Sequence, residues 1–167
     1  MLKNIVLVLT APVALVCLPG AQAQAAIPDD IVTITQSSNG RYLDAWDDGT
    51  HDYNVVTRPA QNNTSQQWRI HWTETGRGTL QQLSSGRYLD AHEIESLDYR
   101  LVTRTKQDNN TQLWAINSIG GGKYTLQQIS NNRYMDAHEI PERDYQVVSR
   151  PGQTNATQHW QLTVIGH

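Results

Sequence analysis

The chain reads as an all-β fold built from three nearly equal copies of one four-stranded unit. Three observations predict this. First, marked residues recur every 46 positions: Asp44, Asp90 and Asp136; Tyr53, Tyr99 and Tyr145; Arg58, Arg104 and Arg150; Gln66, Gln112 and Gln158; Trp68, Trp114 and Trp160. Second, short runs rich in Val, Leu, Ile, Thr, Tyr and Trp alternate with connections rich in Gly, Asn, Asp and Ser, as strands alternate with turns. Third, no long segment carries a helical period. The register needs no gap, so the units are residues 30–75, 76–121 and 122–167. A repeat of this length marks copies of one supersecondary unit.

The second unit shows the elements in order. "GTLQQL" is the first strand, and the Gly-containing "SSG" is the turn after it. "RYLDA" is the second strand, and "HEIESLD" connects it to the third, "RLVTR". "TKQDNNTQ" leads into the fourth, "LWAI". Four strands in each of three units make twelve. A β-propeller has a similar repeat, but three blades are too few to close one. An open solenoid would require distinct caps at its ends. Closed threefold symmetry suits three near-equal units, and the compact all-β fold made that way is the β-trefoil.

Residues 1–25 have the layout of a secretory signal peptide. Lys3 precedes an apolar run from Ile5 to Leu18, then a Pro-Gly pair and overlapping Ala-x-Ala sites ending at Ala23 and Ala25. The run is short for a membrane span. The single cysteine, Cys17, falls inside this segment. Bulky Val16 before it argues against lipid attachment, so the processed chain, 26–167, is expected to have no thiol chemistry. These residues suffice for one domain with a real core. The formal net charge of the whole chain is −3. Nucleic acids and anionic membranes attract clustered basic residues, so neither is an expected partner, and no integral membrane segment is expected in the processed chain. The expected destination is outside the cytoplasm, secreted or periplasmic.

Each unit has Gln-x-Trp ("QQW", "QLW", "QHW") towards its end and a segment of the "GRYLDA" type near its start. Together these resemble the ricin B-type (QxW) β-trefoil lectins over essentially all of residues 30–167. The resemblance implies a lectin with up to three equivalent sugar sites, no catalytic residues, no cofactor and no metal. It implies that Asp44, Asp90 and Asp136 anchor the sugar. A carboxylate at a strand end accepts strong hydrogen bonds from two neighbouring hydroxyls. The competing role is a turn aspartate bonding its own backbone.

A sugar also presents an apolar C–H face, which calls for an aromatic ring beside the carboxylate. Tyr53, Tyr99 and Tyr145 are candidates, and packing beneath the connecting loop is their other reading. Trp46, His92 and His138 share the position two residues after the aspartate, where a ring stacks or donates a hydrogen bond. Trp68, Trp114 and Trp160 are expected in the threefold core, with Gln66, Gln112 and Gln158 bonding neighbouring turns.

The chain departs from the ricin pattern in two places. Val56 and Arg58 with their counterparts stand where the family has an aromatic ring on the third strand. Ser65, Thr111 and Thr157 stand where it has a polar residue, usually Asn, before the QxW. Asn63, Asn109 and Asn155 are candidates to supply that amide. Arg58, Arg104 and Arg150 are expected to pair with carboxylates such as Asp52, Asp98 and Asp144.

Other activities fit less well. A glycosidase needs one acid and one base in different roles across a bond, whereas three copies give equivalent sites. Copies favour multivalent binding. The "DAHE" string at Asp90–Glu93 and Asp136–Glu139 places neighbours on opposite faces of a strand, and Trp46 replaces the histidine in the first unit, so a threefold metal site would lack a ligand. Two alternatives remain: the cell-binding subunit of a bacterial toxin, whose toxic chain would be separate, and a β-trefoil protease inhibitor, against which the lack of any loop insertion counts.

Overall fold

The computed structural model of the chain describes residues 27–167. The signal-peptide expectation for residues 1–25, with Cys17, lies outside them. No helix among the described residues is long and apolar enough to cross a membrane.

Twelve strands form, four in each unit. Unit one holds β1 (Asp30–Gln36), β2 (Tyr42–Ala45), β3 (Val55–Arg58) and β4 (Gln67–Glu74). Unit two holds β5 (Arg77–Gln82), β6 (Tyr88–Ala91), β7 (Leu101–Arg104) and β8 (Trp114–Gly120). Unit three holds β9 (Lys123–Gln128), β10 (Tyr134–Ala137), β11 (Val147–Arg150) and β12 (Trp160–Gly166). The fourth strand of unit two continues past "LWAI" to Gly120, because β8 pairs with β9 through the hairpin that joins units two and three.

The first and fourth strands of the units close a barrel. β1 pairs with β12 and β4, β4 with β5, β5 with β8, β8 with β9, and β9 with β12, all antiparallel. Closure leaves these six strands no free edge. The second and third strands form three hairpins, β2–β3, β6–β7 and β10–β11. The hairpins join one another through single bridges, Asn54 to Val102, Arg100 to Val148, and Val56 to Gln146. A six-stranded barrel capped by three hairpins is the β-trefoil.

Alternation along the strands builds the core. Trp68, Trp114 and Trp160 open or nearly open the fourth strands and are 0% exposed, which leaves no face for a sugar. Around them pack Ile34, Leu43, Leu80, Leu89, Leu126 and Met135, also fully buried. Each indole Nε1–H donates to a second-strand carbonyl: Leu43 at 3.1 Å, Leu89 at 3.3 Å and Met135 at 3.1 Å. The large apolar surface is thus buried with its one polar group satisfied.

Replacing Trp114 by Ala is expected to cost ~3–5 kcal/mol, the usual range for a large aromatic deleted from a core. Urea unfolding measures it. A loss under 1 kcal/mol would refute the threefold core as described.

Candidate functional site

The three strand-end aspartates are held alike. Each is nearly buried, at 5%, 5% and 7% exposed for Asp44, Asp90 and Asp136. Oδ1 accepts from the next residue's N–H at 2.8 Å in every copy (Ala45, Ala91, Ala137). Oδ2 accepts from the Nε2 of Gln66 at 3.2 Å, Gln112 at 3.1 Å and Gln158 at 3.1 Å. The same glutamines clasp their turns. Their Oε1 atoms accept from the N–H of Gln61, Gln107 and Gln153. Their Nε2 atoms also donate to the carbonyls of Pro59, Thr105 and Pro151. A carboxylate offers about four acceptor directions, and two are taken, so each aspartate keeps acceptor capacity.

Asp44 opens into a groove of about 490 Å³ walled by Trp46, Val56, Arg58, Gln61, Ser65 and Asp144. Its rim belongs to two units. Arg58 grips Asp144 with both nitrogens, at 2.6 and 3.1 Å, and the Trp46 Nε1–H donates to Asp144 at 3.1 Å. One face of Trp46 stacks on His51, with ring centroids 3.9 Å apart. The ion pairs expected of Arg58, Arg104 and Arg150 form with a carboxylate of the preceding unit in the ring. Arg104 meets Asp52 at 3.4 Å and Arg150 meets Asp98 at 2.6 Å. His92 and His138 join the same clusters, donating from Nε2 to Asp52 at 2.9 Å and to Asp98 at 2.7 Å. An Nε2 that donates to a carboxylate cannot also accept from the nearby Arg104 or Arg150, so those close approaches are neighbours within the ion cluster. Both imidazoles are only about one-fifth exposed, which limits them as free stacking surfaces.

These clusters move the carboxyls off their ordinary value of 3.8. Asp98 falls to about 2, chiefly through the hydrogen bond from Arg150, with His138 adding to it against the opposing effect of burial. For Asp52 and Asp144, burial is the largest single effect and pushes the pKa up. Bonds and charges from His92 and Arg104, and from Arg58 and Trp46, more than offset it, so both carboxyls lie low.

Two placements correct the sequence reading. Tyr53, Tyr99 and Tyr145 each turn a ring face to an arginine of the next unit in the ring. Each follows an aspartate in the left-handed region, and each tyrosine is itself at φ near +50°. This pair of turns swings the ring under a neighbouring unit. Arg87 lies 3.7 Å above Tyr53, Arg133 3.7 Å above Tyr99 and Arg41 3.6 Å above Tyr145. One face of each ring is thus taken by a cation–π contact. Asn63, Asn109 and Asn155 turn away from the carboxylates. Each donates to the glutamine two residues before it, and accepts from the hydroxyl of Ser65, Thr111 or Thr157. Their short polar side chains satisfy the local turn first, and the amide residue that lines the Asp44 groove is Gln61. Arg41, Arg87 and Arg133, which also recur every 46 residues, carried a signal that the sequence reading left without a role.

The sequence model of the ricin-type beta-trefoil lectin domain-like family matches residues 22–96 and 64–140. The chain belongs to that family. Among curated proteins none matches the sequence. Similar solved structures share the fold. The designed threefold-symmetric protein ThreeFoil is 20% identical with a TM-score of 0.72, covering 80% of this chain and 97% of its own. The Rhizoctonia solani agglutinin is 20% identical with a TM-score of 0.69, covering 85% and 99%. SeviL, solved bound to the asialo-GM1 saccharide, is 15% identical with a TM-score of 0.62, covering 81% and 98%.

The Asp98 cluster predicts an acid-sensitive contribution to stability. A carboxyl whose folded pKa is depressed stabilises the fold above its unfolded value and loses that contribution as pH falls through the folded value. The window is therefore from about pH 4 down to about pH 2. At pH 7, Asp98→Asn is expected to cost about 1–2 kcal/mol after discounting for partial exposure. The gap to wild type should close as pH drops through that window. Urea midpoints at several pH values test this, and a gap that stays constant from pH 7 to 2 would exclude the mechanism.

Proposed function

We propose that this protein is a non-enzymatic lectin that binds glycans at up to three related sites centred on Asp44, Asp90 and Asp136. The observation that carries the reading is the threefold-repeated aspartate, held by its own backbone and by the Gln-x-Trp glutamine, with acceptor capacity left over. At Asp44 that capacity faces an open groove. A sugar hydroxyl donating to Oδ would meet a carboxylate already fixed in place, so little ordering cost is added on binding. Gln61 and Ser65 on the groove wall offer amide and hydroxyl partners, and Val56 a small apolar contact. Binding of the asialo-GM1 saccharide by SeviL, a protein of similar fold, supports the glycan class.

The three sites are related but not identical. Unit one carries Trp46, with His51 stacked on it. Units two and three carry His92 and His138, bound to carboxylates of the preceding unit. Weak single sites on one rigid body combine when the target presents several copies of a sugar. No metal is required by this mode of binding.

Replacing Asp44, Asp90 and Asp136 together by Asn keeps the shape and removes the charge. On a glycan array the triple variant is expected to lose most of the wild-type signal, at least tenfold. Because each Asn places an amide donor against the glutamine donor, the comparison is made at a temperature where far-UV circular dichroism shows both proteins folded. Undiminished binding by the folded triple variant would overturn the site assignment. Absence of wild-type binding to any glycan would overturn the lectin reading.

A further inference from the structure

We propose that the groove between the β4–β5 hairpin and the turn at residues 105–113 is a fourth glycan site, unlike the other three, that stacks one pyranose ring on Trp72. This rests on the reading of the protein as a lectin. The groove measures about 470 Å³ and is lined by His71, Trp72, Tyr88, Lys106, Asp108 and Asn110 among others. It does not share a residue with the Asp44 groove.

The argument starts from symmetry. Most lining residues of the Asp44 groove recur at 46-residue spacing, as a shared structural plan requires. Seven of the eleven residues lining the second groove break it. Where unit one has Trp72, the other units have Ser118 and Val164; His71 is matched by Asn117 and Thr163. Lys106 is matched by Ala60 and Gly152, Asp108 by Asn62 and Thr154, and Asn110 by Thr64 and Ala156. Five departures from the repeat, drawn from two units, converge on one concavity.

Two features then fit a sugar. The aromatic wall is rigid. The Trp72 Nε1–H donates to Asp30 at 2.8 Å, and His71 is held by Asp29 at 2.7 Å and Gln81 at 3.0 Å. Tyr88 stacks on His71 with centroids 5.8 Å apart. Its symmetry mate Tyr134 instead leans on Gly152, where an added Cβ would lie only 3.0 Å from the ring. Lys106 carries a Cβ at the matching position, so Tyr88 cannot lie as close there as Tyr134 does to Gly152. Opposite the aromatic wall, the exposed side chains of Lys106, Asp108 and Asn110 make no side-chain hydrogen bond or ion pair among the described residues. An apolar ring face opposed by free donors and acceptors matches a pyranose, with its C–H face and its equatorial hydroxyls.

The chain has five tryptophans, so its ¹⁵N–¹H spectrum holds five indole signals, assignable with Trp46→Phe and Trp72→Phe. The probes are the methyl glycosides of galactose, N-acetylgalactosamine, glucose, N-acetylglucosamine, mannose and fucose. At least one should shift the Trp72 signal along a saturable curve. The double substitution Asp108→Ala with Asn110→Ala, both exposed, should weaken that curve at least tenfold and leave the Trp46 titration unchanged. A Trp72 signal that stays fixed while Trp46 moves would overturn the fourth site and leave the threefold sites standing. An undiminished Trp72 curve in the double variant would also overturn it. If neither indole responds to any glycoside, and the array is blank, the lectin reading falls and the fourth site falls with it.

Discussion

The buried hydrogen bond from Gln66 Nε2 to Asp44 Oδ2, with its copies at Gln112–Asp90 and Gln158–Asp136, is the constraint on which the rest of this molecule depends. Each glutamine lies two residues before a core tryptophan and reaches the end of a cap hairpin. One side chain therefore ties the barrel strand, the preceding turn and the aspartate into one unit. Truncating either partner leaves a buried polar group unpaired, which costs more than the net value of an intact hydrogen bond. That asymmetry couples binding to folding. A candidate ligand contact and the architecture share the same carboxylate, so the carboxylate cannot drift to suit a ligand.

A second set of contacts closes the threefold ring. Asp52, Asp98 and Asp144 reach forward to an arginine of the next unit, and the tyrosine after each takes an arginine on its face. Both residues of every Asp-Tyr pair sit at positive φ, a conformation that is unfavourable for residues with a Cβ and persists only where the surroundings fix it. Three backbone bonds do so, from the N–H of Thr57, Thr103 and Ser149 to the carbonyls of Tyr145, Tyr53 and Tyr99. Exposed ion pairs alone contribute roughly 0–1 kcal/mol. Here each shares its aspartate with a second donor and its arginine side with a main-chain junction, so the ordering cost of one geometry is spread over several contacts.

The twelve strands and the three-unit division were legible because the repeat is gapless and the alternation strong. The strand-end aspartates were legible as a set for the same reason. The partner of each was not. A 46-residue period states which residues are equivalent, but not whether a side chain turns toward its own unit or the next. Tyr53 illustrates the limit. Its nine-residue separation from Asp44 reads as proximity, whereas two consecutive left-handed residues send the ring beneath Arg87. Backbone sign reversals at Asp and Tyr leave no mark in a pattern of residue types. Asn63 shows a different failure. An amide near a site is read as a ligand donor, yet local turn bonds claim it first.

Symmetry and its departures carry different information. A position that recurs in all three units satisfies the fold, the repeated site, or both, and the Gln–Asp bond does both at once. A position that departs from the repeat is released from the shared plan, and most such departures on a surface are scattered and inconsequential. Departures that gather in one concavity are another matter, because independent drift has no reason to place an indole, an imidazole, an ammonium, a carboxylate and an amide around the same space. The distinction also bears on avidity. The three related sites proposed here recur at fixed spacing around the threefold axis, and any gain from them depends on the target's geometry. A single unlike site, on the flank where the β4–β5 hairpin meets the 105–113 turn, adds a contact whose orientation differs from the others. A glycan that spans both kinds of site would then be recognised by its shape as well as by its terminal sugar.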